Sequence, residues 1–156
     1  MRLCCDDDRS QVLAMAAELS ASHEVYDPIR WVAPNSIRDI YATWFERSDA
    51  GDNLAVFVAE GAVASLPLAG YLVAEVWSAQ PVFWTPACVY IHDIFVRPVA
   101  RTGGAGEALF RAVVAWGHAR GQRQFRGLVS SENPAARGFF ERRGFRVTAT
   151  EITLDT

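Results

Sequence analysis

Residues 88–121 read CVYIHDIFVRPVARTGGAGEALFRAVVAWGHARG, and the order of patterns in this stretch decides the fold. Cys88 to Val96 is apolar or aromatic except for His92 and Asp93, as in a central strand that carries two polar residues. Arg101-Thr102-Gly103-Gly104-Ala105-Gly106 follows as a glycine-rich turn. From Gly104 to Arg120 the residues Ala105, Leu109, Ala112, Val113 and Trp116 recur at helical spacing, with Arg120 as a basic last turn and Gly121 just past the end. Glycines between a strand and a helix let the main chain turn sharply and approach a ligand. The first N–H groups of the helix, which lack internal acceptors, then face an anion. A diphosphate fits that description, although an ordinary tight turn uses glycine too. A dinucleotide fingerprint is disfavoured, because GxGxxG is absent and no acid lies about 20 residues further on.

Working outward, Phe125 to Val129 reads as another strand, and Asn133-Pro134 as an N-cap and first residue of a short helix that ends at Arg143 with Gly144 after it. Arg146 to Leu154 alternates and predicts a closing strand. Upstream, Arg2 to Cys5 is a short strand. Ser10 to about Ser22 is a helix with Val12, Leu13, Ala16 and Leu19 on one side and Asp8 or Ser10 as cap. Pro34-Asn35-Ser36 opens a second helix through about Arg47, striped by Ile37, Ile40, Tyr41, Trp44 and Phe45. Leu54 to Ala59 and Ala69 to Val76 read as neighbouring strands joined by a connection that Glu60-Gly61 opens. The order β-α-α-β-β-β-α-β-α-β describes an α/β domain with a mixed sheet.

Composition bounds the function. A chain of 156 residues with 51% hydrophobic and 21% charged residues has the size and balance of one globular domain. No apolar run approaches a membrane span, and MRLCCDDDRS places three aspartates where a signal peptide needs an apolar stretch, so cytoplasmic localisation with no membrane partner is expected. Cys4, Cys5 and Cys88 form neither a paired framework nor a metal-ligand spacing. All fifteen basic residues are arginine, which excludes a Schiff-base lysine and a P-loop lysine. Residues 1–96 hold five arginines against thirteen acids, and residues 97–146 hold ten against three. Either the surface simply alternates in sign, or one side faces an anion and the other a neutral or cationic ligand. With a net charge of −3 and no aromatic-interleaved basic run, nucleic acid is not an expected partner.

Taken together, Val96-x-Pro98, Arg101-x-x-Gly104-x-Gly106, Asn133-x-x-Ala136 and Gly144-Phe145 resemble the GNAT superfamily of acetyl-CoA-dependent N-acetyltransferases, in order, spacing and context, over about residues 88–146. The resemblance implies one α/β (α+β) domain over residues 1–156. Its central sheet would be mixed, mostly antiparallel and opened by a V-shaped split, with about four flanking helices. It implies acetyl-CoA as co-substrate, no metal, and a small-molecule or peptide amine as acceptor, and it is compatible with a homodimer. By position, the main chain of Arg101, Thr102, Gly103, Gly104, Ala105 and Gly106 would hold the diphosphate of coenzyme A. Ile94, Phe95 and Val96 would pair with the pantetheine arm, and Asn133, Ala136 and Phe140 would meet it from the other arm of the split. Two departures stand out. Gly103 occupies a position where many relatives carry a second basic residue, leaving Arg97 or Arg137 to help the diphosphate. Phe140 stands where many relatives have the tyrosine that protonates the departing thiolate, which favours as alternative a non-catalytic acyl-CoA-binding or regulatory module of the same fold.

Most amines arrive protonated at neutral pH, so a base is useful. The resemblance places His92, four residues before Val96, where several families put a glutamate or histidine for that purpose, and imidazole suits neutral pH. A strand histidine satisfied by a neighbour is the other reading. Tyr90, two residues earlier on the same face, is the next candidate, as base or acid. Asp93 would point to the opposite face of a regular strand. Trp77, Phe83 and Trp84 could wall an acceptor pocket or simply pack. Glu75 could anchor a cationic amine or face water. His23 and His118 are expected on helix surfaces, solvated.

Overall fold

The computed structural model describes residues 1–31, 36–63 and 66–155. Its sheet has five strands in sequential order: β1 (Arg2–Leu3), β2 (Leu54–Val63), β3 (Leu66–Trp77), β4 (Cys88–Val96) and β5 (Phe125–Gly127). The first four pair antiparallel, and β5 runs parallel to β4. The helices are α1 (Arg9–Tyr26), α2 (Ile37–Asp49), α3 (Ala105–Ala119) and α4 (Pro134–Glu141). A strand sends successive side chains to opposite faces, and β2 shows the result. Leu54, Val56 and Val58 join Val12, Met15, Tyr41 and Phe45 under α1 and α2. Ala55, Phe57 and Ala59 join Leu109, Val113 and Phe140 under α3 and α4. The helices thus cover both faces of a mixed, mostly antiparallel sheet.

Local chemistry sets the helix ends. Ser36 Oγ accepts from the Asp39 N–H at 3.2 Å and caps α2, whereas Pro34 and Asn35, expected to open that helix, lie outside the described residues. Asn133 Oδ1 accepts from the Ala136 N–H at 2.9 Å, with Pro134 as the first residue of α4. Gly121 and Gly144 follow α3 and α4 as expected, and Phe145 N–H reaches back to Phe140 O at 3.2 Å.

Two expectations are corrected. Glu60 and Gly61 do not open a connection: β2 runs on to Val63, and the ladder absorbs the change as register shifts around Glu60. Nor do residues 146–155 form the closing strand. They are irregular, with Val147, Ile152 and Leu154 at 71%, 90% and 86% exposure. Alternation says which side chains would share a face, but a strand also needs an edge that accepts its main chain. The edge strand nearest in sequence, β5, is only three residues long.

The N-terminus is tied down by a buried carboxylate. Asp8 accepts from Arg2 at 2.5 and 3.0 Å and from the Cys5 N–H at 2.9 Å. The Arg2 guanidinium holds its carboxyl down at about 2. Arg2→Ala should therefore destabilise the chain by about 2 kcal/mol at pH 7, because it strands a desolvated charge. Since the folded-state pKa is depressed, this stability is present above the ordinary carboxylate range and is lost as pH falls from about 4 toward 2. Urea midpoints of the wild type and variant should converge over that window.

Candidate active site

One irregularity in β4 organises the site. Val73 pairs with Asp93 and Ala74 with Ile91, which leaves His92 as the extra residue of a β-bulge. A bulge bends its strand and resets the alternation beyond it. Before it, Val89 and Ile91 pack under α3 and α4; beyond it, Phe95 packs under α1 and α2 while Ile94 and Val96 lie against the α3 and α4 core. Asp93, expected on the opposite face, is consequently on the same face as Tyr90 and His92, where Tyr41 of α2 and Tyr71 of β3 meet it.

The pairing of β4 with β5 covers Val89, Tyr90 and Ile91 and stops at the bulge, which opens the split. Past that point the outer edge of β4 has no neighbouring strand among the described residues. Arg97 N–H donates to Ala69 O at 2.9 Å, so alternate residues turn their main-chain groups the other way. Ile94 therefore presents its N–H and C=O to the split and Val96 its N–H, while the Val96 C=O accepts from Arg101. Phe95, grouped with them from sequence, turns its main chain toward β3, and its buried ring lies 6.4 Å from that of Tyr71.

The split leads to the glycine turn. Gly104 has φ +78°, a left-handed conformation that launches α3, and no side-chain group caps it. The first helical hydrogen bond runs from Ala108 N–H to Gly104 O at 3.0 Å, so the N–H groups of Ala105, Gly106 and Glu107 have no carbonyl within the helix to meet. A Cβ on Gly106 would lie 3.1 Å from Phe139 Cε2, so this glycine serves the packing of α3 on α4. Glu107, the one acid in the first turn of α3, is bonded to Arg143 Nη2 at 2.6 Å. Arg101 Nε donates to Val96 O at 3.2 Å, and Thr102 and Gly103 are exposed in the turn. Arg97, a candidate for helping the diphosphate, is instead engaged with Leu68 O and with Glu18 of α1. Arg137 is exposed, with Glu141 at 3.9 Å.

On the other face lies a network that the sequence only half revealed. His92 Nε2 is 3.0 Å from Glu75 Oε2, Arg47 Nη2 is 2.6 Å from Glu75 Oε1, and Trp77 Nε1 donates to Glu75 at 3.1 Å. Burial pushes the Glu75 carboxyl up, but bonds from Arg47, His92 and Trp77 outweigh it and hold the group below its ordinary value. An ionised carboxylate can only accept, so Nε2 carries the hydrogen, which leaves Nδ1 as the basic nitrogen of the neutral ring. Tyr90 stacks on Trp77 with centroids 3.9 Å apart and an interplanar angle of 4°, and burial raises its phenol above the ordinary value. Trp44, unmarked in the sequence beyond its place on a helical stripe, lies 5.1 Å from the His92 ring. The Tyr41 hydroxyl donates to Asp93 and lies 2.7 Å from that of Tyr71, and burial raises the Asp93 carboxyl.

His92, Tyr90, Asp93 and Trp44 line a cavity of about 410 Å³ between α1, α2 and β4. His23 belongs to it too. It is not simply solvated, since its Nδ1 meets Leu19 O at 2.9 Å and its ring packs on Trp31. His118 is exposed, as expected. Phe83 and Trp84, at 71% and 92% exposure, stand away from the cavity lining. Phe140 is buried against Phe139 and Phe145, with ring centroids at 5.3 and 5.0 Å. Among the described residues no group of three or more His, Cys, Asp or Glu could hold a metal ion, and no helix is long and apolar enough to cross a membrane.

Solved structures share this fold. A tetramutant of the BH1408 protein of Bacillus halodurans superposes with a TM-score of 0.82 at 20% identity, covering 99% of this chain and 98% of that one. The aminoglycoside antibiotic 6'-N-acetyltransferase AAC(6')-IG of Acinetobacter haemolyticus gives 0.71 at 12% identity, over 99% and 96%. A predicted acetyltransferase of Clostridium acetobutylicum, solved with acetyl-CoA, gives 0.71 at 16%, over 99% and 94%. These likenesses speak for the fold. No curated protein matches the chain in sequence. The model of the acetyltransferase (GNAT) family matches residues 15–145, which takes in most of α1 and every element from α2 to α4. With the split at the His92 bulge and the uncapped helix beside it, that match assigns the chain to the acetyltransferase (GNAT) family.

Proposed function

We propose that the chain moves an acetyl group from acetyl-CoA to a primary amine by direct attack in a ternary complex. The observation that carries this reading is the open edge of β4 at Ile94 and Val96, with an uncapped helix N-terminus at one end and the His92 cavity on the neighbouring face. The residues fit the co-substrate: main-chain groups at the edge match an extended amide-containing arm, and free N–H groups at α3 match a diphosphate. Ala105 and Gly106 would supply those amides, with Arg101, Thr102, Gly103 and Gly104 shaping the turn. Asn133 and Ala136 shape the facing end of α4. Bound there, acetyl-CoA supplies an acyl carbon activated by a thiolate leaving group.

His92 Nδ1 takes a proton from the amine, directly or through water, as the amine nitrogen bonds to the acyl carbon and the carbon–sulfur bond breaks. Glu75, braced by Arg47 and Trp77, holds the imidazole in the tautomer that can do so. The thiolate, comparable to a cysteine of pKa about 8.5, leaves acceptably without help and takes its proton from water or from Tyr90, whose raised pKa keeps its hydroxyl protonated. The acceptor lies in the cavity between α1 and α2, opposite the arginine-rich half that carries the turn.

A second reading, an acyl-CoA-binding module without chemistry, is favoured by Phe140, which offers no hydroxyl. Release of CoA thiol from acetyl-CoA across a panel of amines decides between them. We expect turnover with at least one amine. Saturable CoA binding with no turnover on any amine would establish the module instead. Phe140→Tyr should change the rate by less than about tenfold and lower stability by about 1 kcal/mol, since its hydroxyl enters an apolar cluster. Urea unfolding and the same thiol assay read the two effects.

A further inference from the structure

We infer that the acceptor is an amine with one positive charge and a flat, apolar body, and that the cavity discriminates against polyamines and aminoglycosides. This rests on the acetyltransfer reading for its chemistry, but the ligand preference stands on the cavity alone. Among the described lining residues Asp93 is the single carboxylate. It sits at the β4 end, beside His92, and is held there by Tyr41. Burial disfavours the charge on Asp93, and an ammonium placed against it offsets that cost; such an ammonium lies next to the imidazole that would deprotonate it. Much of the rest of the wall can cover a ring, since Trp31, Ile37, Ile40, Trp44 and Tyr90 line it, with Ser20 and His23 as polar exceptions. Aromatic faces attract a cation and cover a planar apolar group, whereas they satisfy neither hydroxyls nor further ammonium groups.

Charge at the mouth points the same way. Arg30 lines the cavity, with its guanidinium over Trp31 at 4.5 Å and its Nε donating to Glu151, while the neighbouring Asp27 carboxylate accepts from the Ile29 and Arg30 N–H groups, so both acids beside it are engaged. A second or third ammonium would meet this arginine and no further acid among the described lining residues. The acidic balance of residues 1–96 draws cations to this half of the molecule, and the lining then admits those with a single charge. A volume near 410 Å³ suits a ring with a short amine chain and is small for several linked sugars.

The test compares 2-phenylethylamine, spermidine and kanamycin. Turnover is followed by thiol release, and binding by quenching of tryptophan fluorescence in the presence of CoA, with Trp44→Phe identifying the reporting ring. We expect kcat/KM for 2-phenylethylamine to exceed that for the other two by at least 100-fold. Ile40→Glu, at a wall position that is already 41% exposed, should narrow the ratio to spermidine by at least tenfold by adding a second acid. Equal or better use of spermidine or kanamycin by the wild type overturns the inference, as does a failure of 2-phenylethylamine to bind. Saturable binding of 2-phenylethylamine over spermidine without turnover supports the inference while removing the acetyltransfer reading.

Discussion

Replacing His92 by glutamine should lower kcat/KM for acetyl transfer by about 10²–10⁴-fold and leave the affinity for CoA unchanged, the range expected when a general base is removed. The side chain reaches the α1 and α2 face of β4, while the edge that would bind pantetheine is formed by main-chain groups of Ile94 and Val96, so the two functions are separable. Glutamine keeps a hydrogen-bonding group near Glu75 but offers no nitrogen basic enough to take a proton. The acidic limb of the kcat/KM profile should be lost with it. Glu75 supplies the control for a purely structural role. Glu75→Gln retains an oxygen that can accept from Nε2–H and should keep most of the activity. Glu75→Ala frees the ring to adopt the other tautomer and should lower kcat about tenfold with little change in KM. If His92→Gln turned over at the wild-type rate, the histidine would be a satisfied strand residue, and Tyr90→Phe would become the informative variant.

The parts of this site that a sequence reveals are those in which local chemistry is tied to local geometry. Strand, glycine turn and amphipathic helix follow one another in residues 88–121, so the turn and its uncapped helix could be read directly. The cap at Asn133 could be read for the same reason. The bulge at His92 could not. It consists of one residue inserted against β3, and nothing in CVYIHDIFV marks which residue is extra. A regular strand would send Asp93 to the α3 and α4 face. The bulge returns it to the α1 and α2 face, and with it comes the one carboxylate among the described residues of the cavity lining. Glu75, Arg47 and Trp44 come from β3 and α2, distant in sequence, and only tertiary packing brings them to His92. The closing strand failed for the converse reason: residues 146–154 alternate well, but strand formation depends on an edge elsewhere.

The uneven charge along the chain acquires a spatial meaning in the fold. The acid-rich part, residues 1–96, supplies α1, α2 and the strand face that bounds the His92 cavity. The arginine-rich part, residues 97–146, supplies the turn, α3 and α4. A cationic acceptor and an anionic co-substrate would thus approach through regions of opposite sign. Few of the arginines act by touching the turn: Arg97 faces α1 and Arg143 neutralises Glu107. Their contribution is a field, and a field can be opposed by one charge placed close to the site.

Gly103→Glu should therefore weaken CoA binding by about 10–100-fold while leaving the chain as stable as the wild type or slightly more so. Gly103 is the position for this test because it is exposed in the turn, lacks the left-handed φ of Gly104, and gives a new Cβ only Ala100 O as a neighbour, at 3.4 Å. A carboxylate there sits just ahead of α3, where the helix dipole favours a negative charge by about 0.3–1 kcal/mol in the free protein. The same carboxylate repels a diphosphate on the same N–H groups, by a few kcal/mol at close range and an intermediate dielectric, before salt screening. Binding and stability thus move in opposite directions, which a simple folding defect cannot imitate. Screening adds a further signature, because the Debye length falls from about 10 Å at 0.1 M salt to 3 Å at 1 M, and the affinity gap should shrink accordingly. Gly103→Arg should do the reverse, tightening binding a few-fold at low salt by restoring the second basic residue. Calorimetric titration with CoA at two salt concentrations, alongside urea unfolding, measures all of these. Unchanged affinity in a stable Gly103→Glu protein would move the diphosphate away from α3 and remove the assignment of residues 101–106.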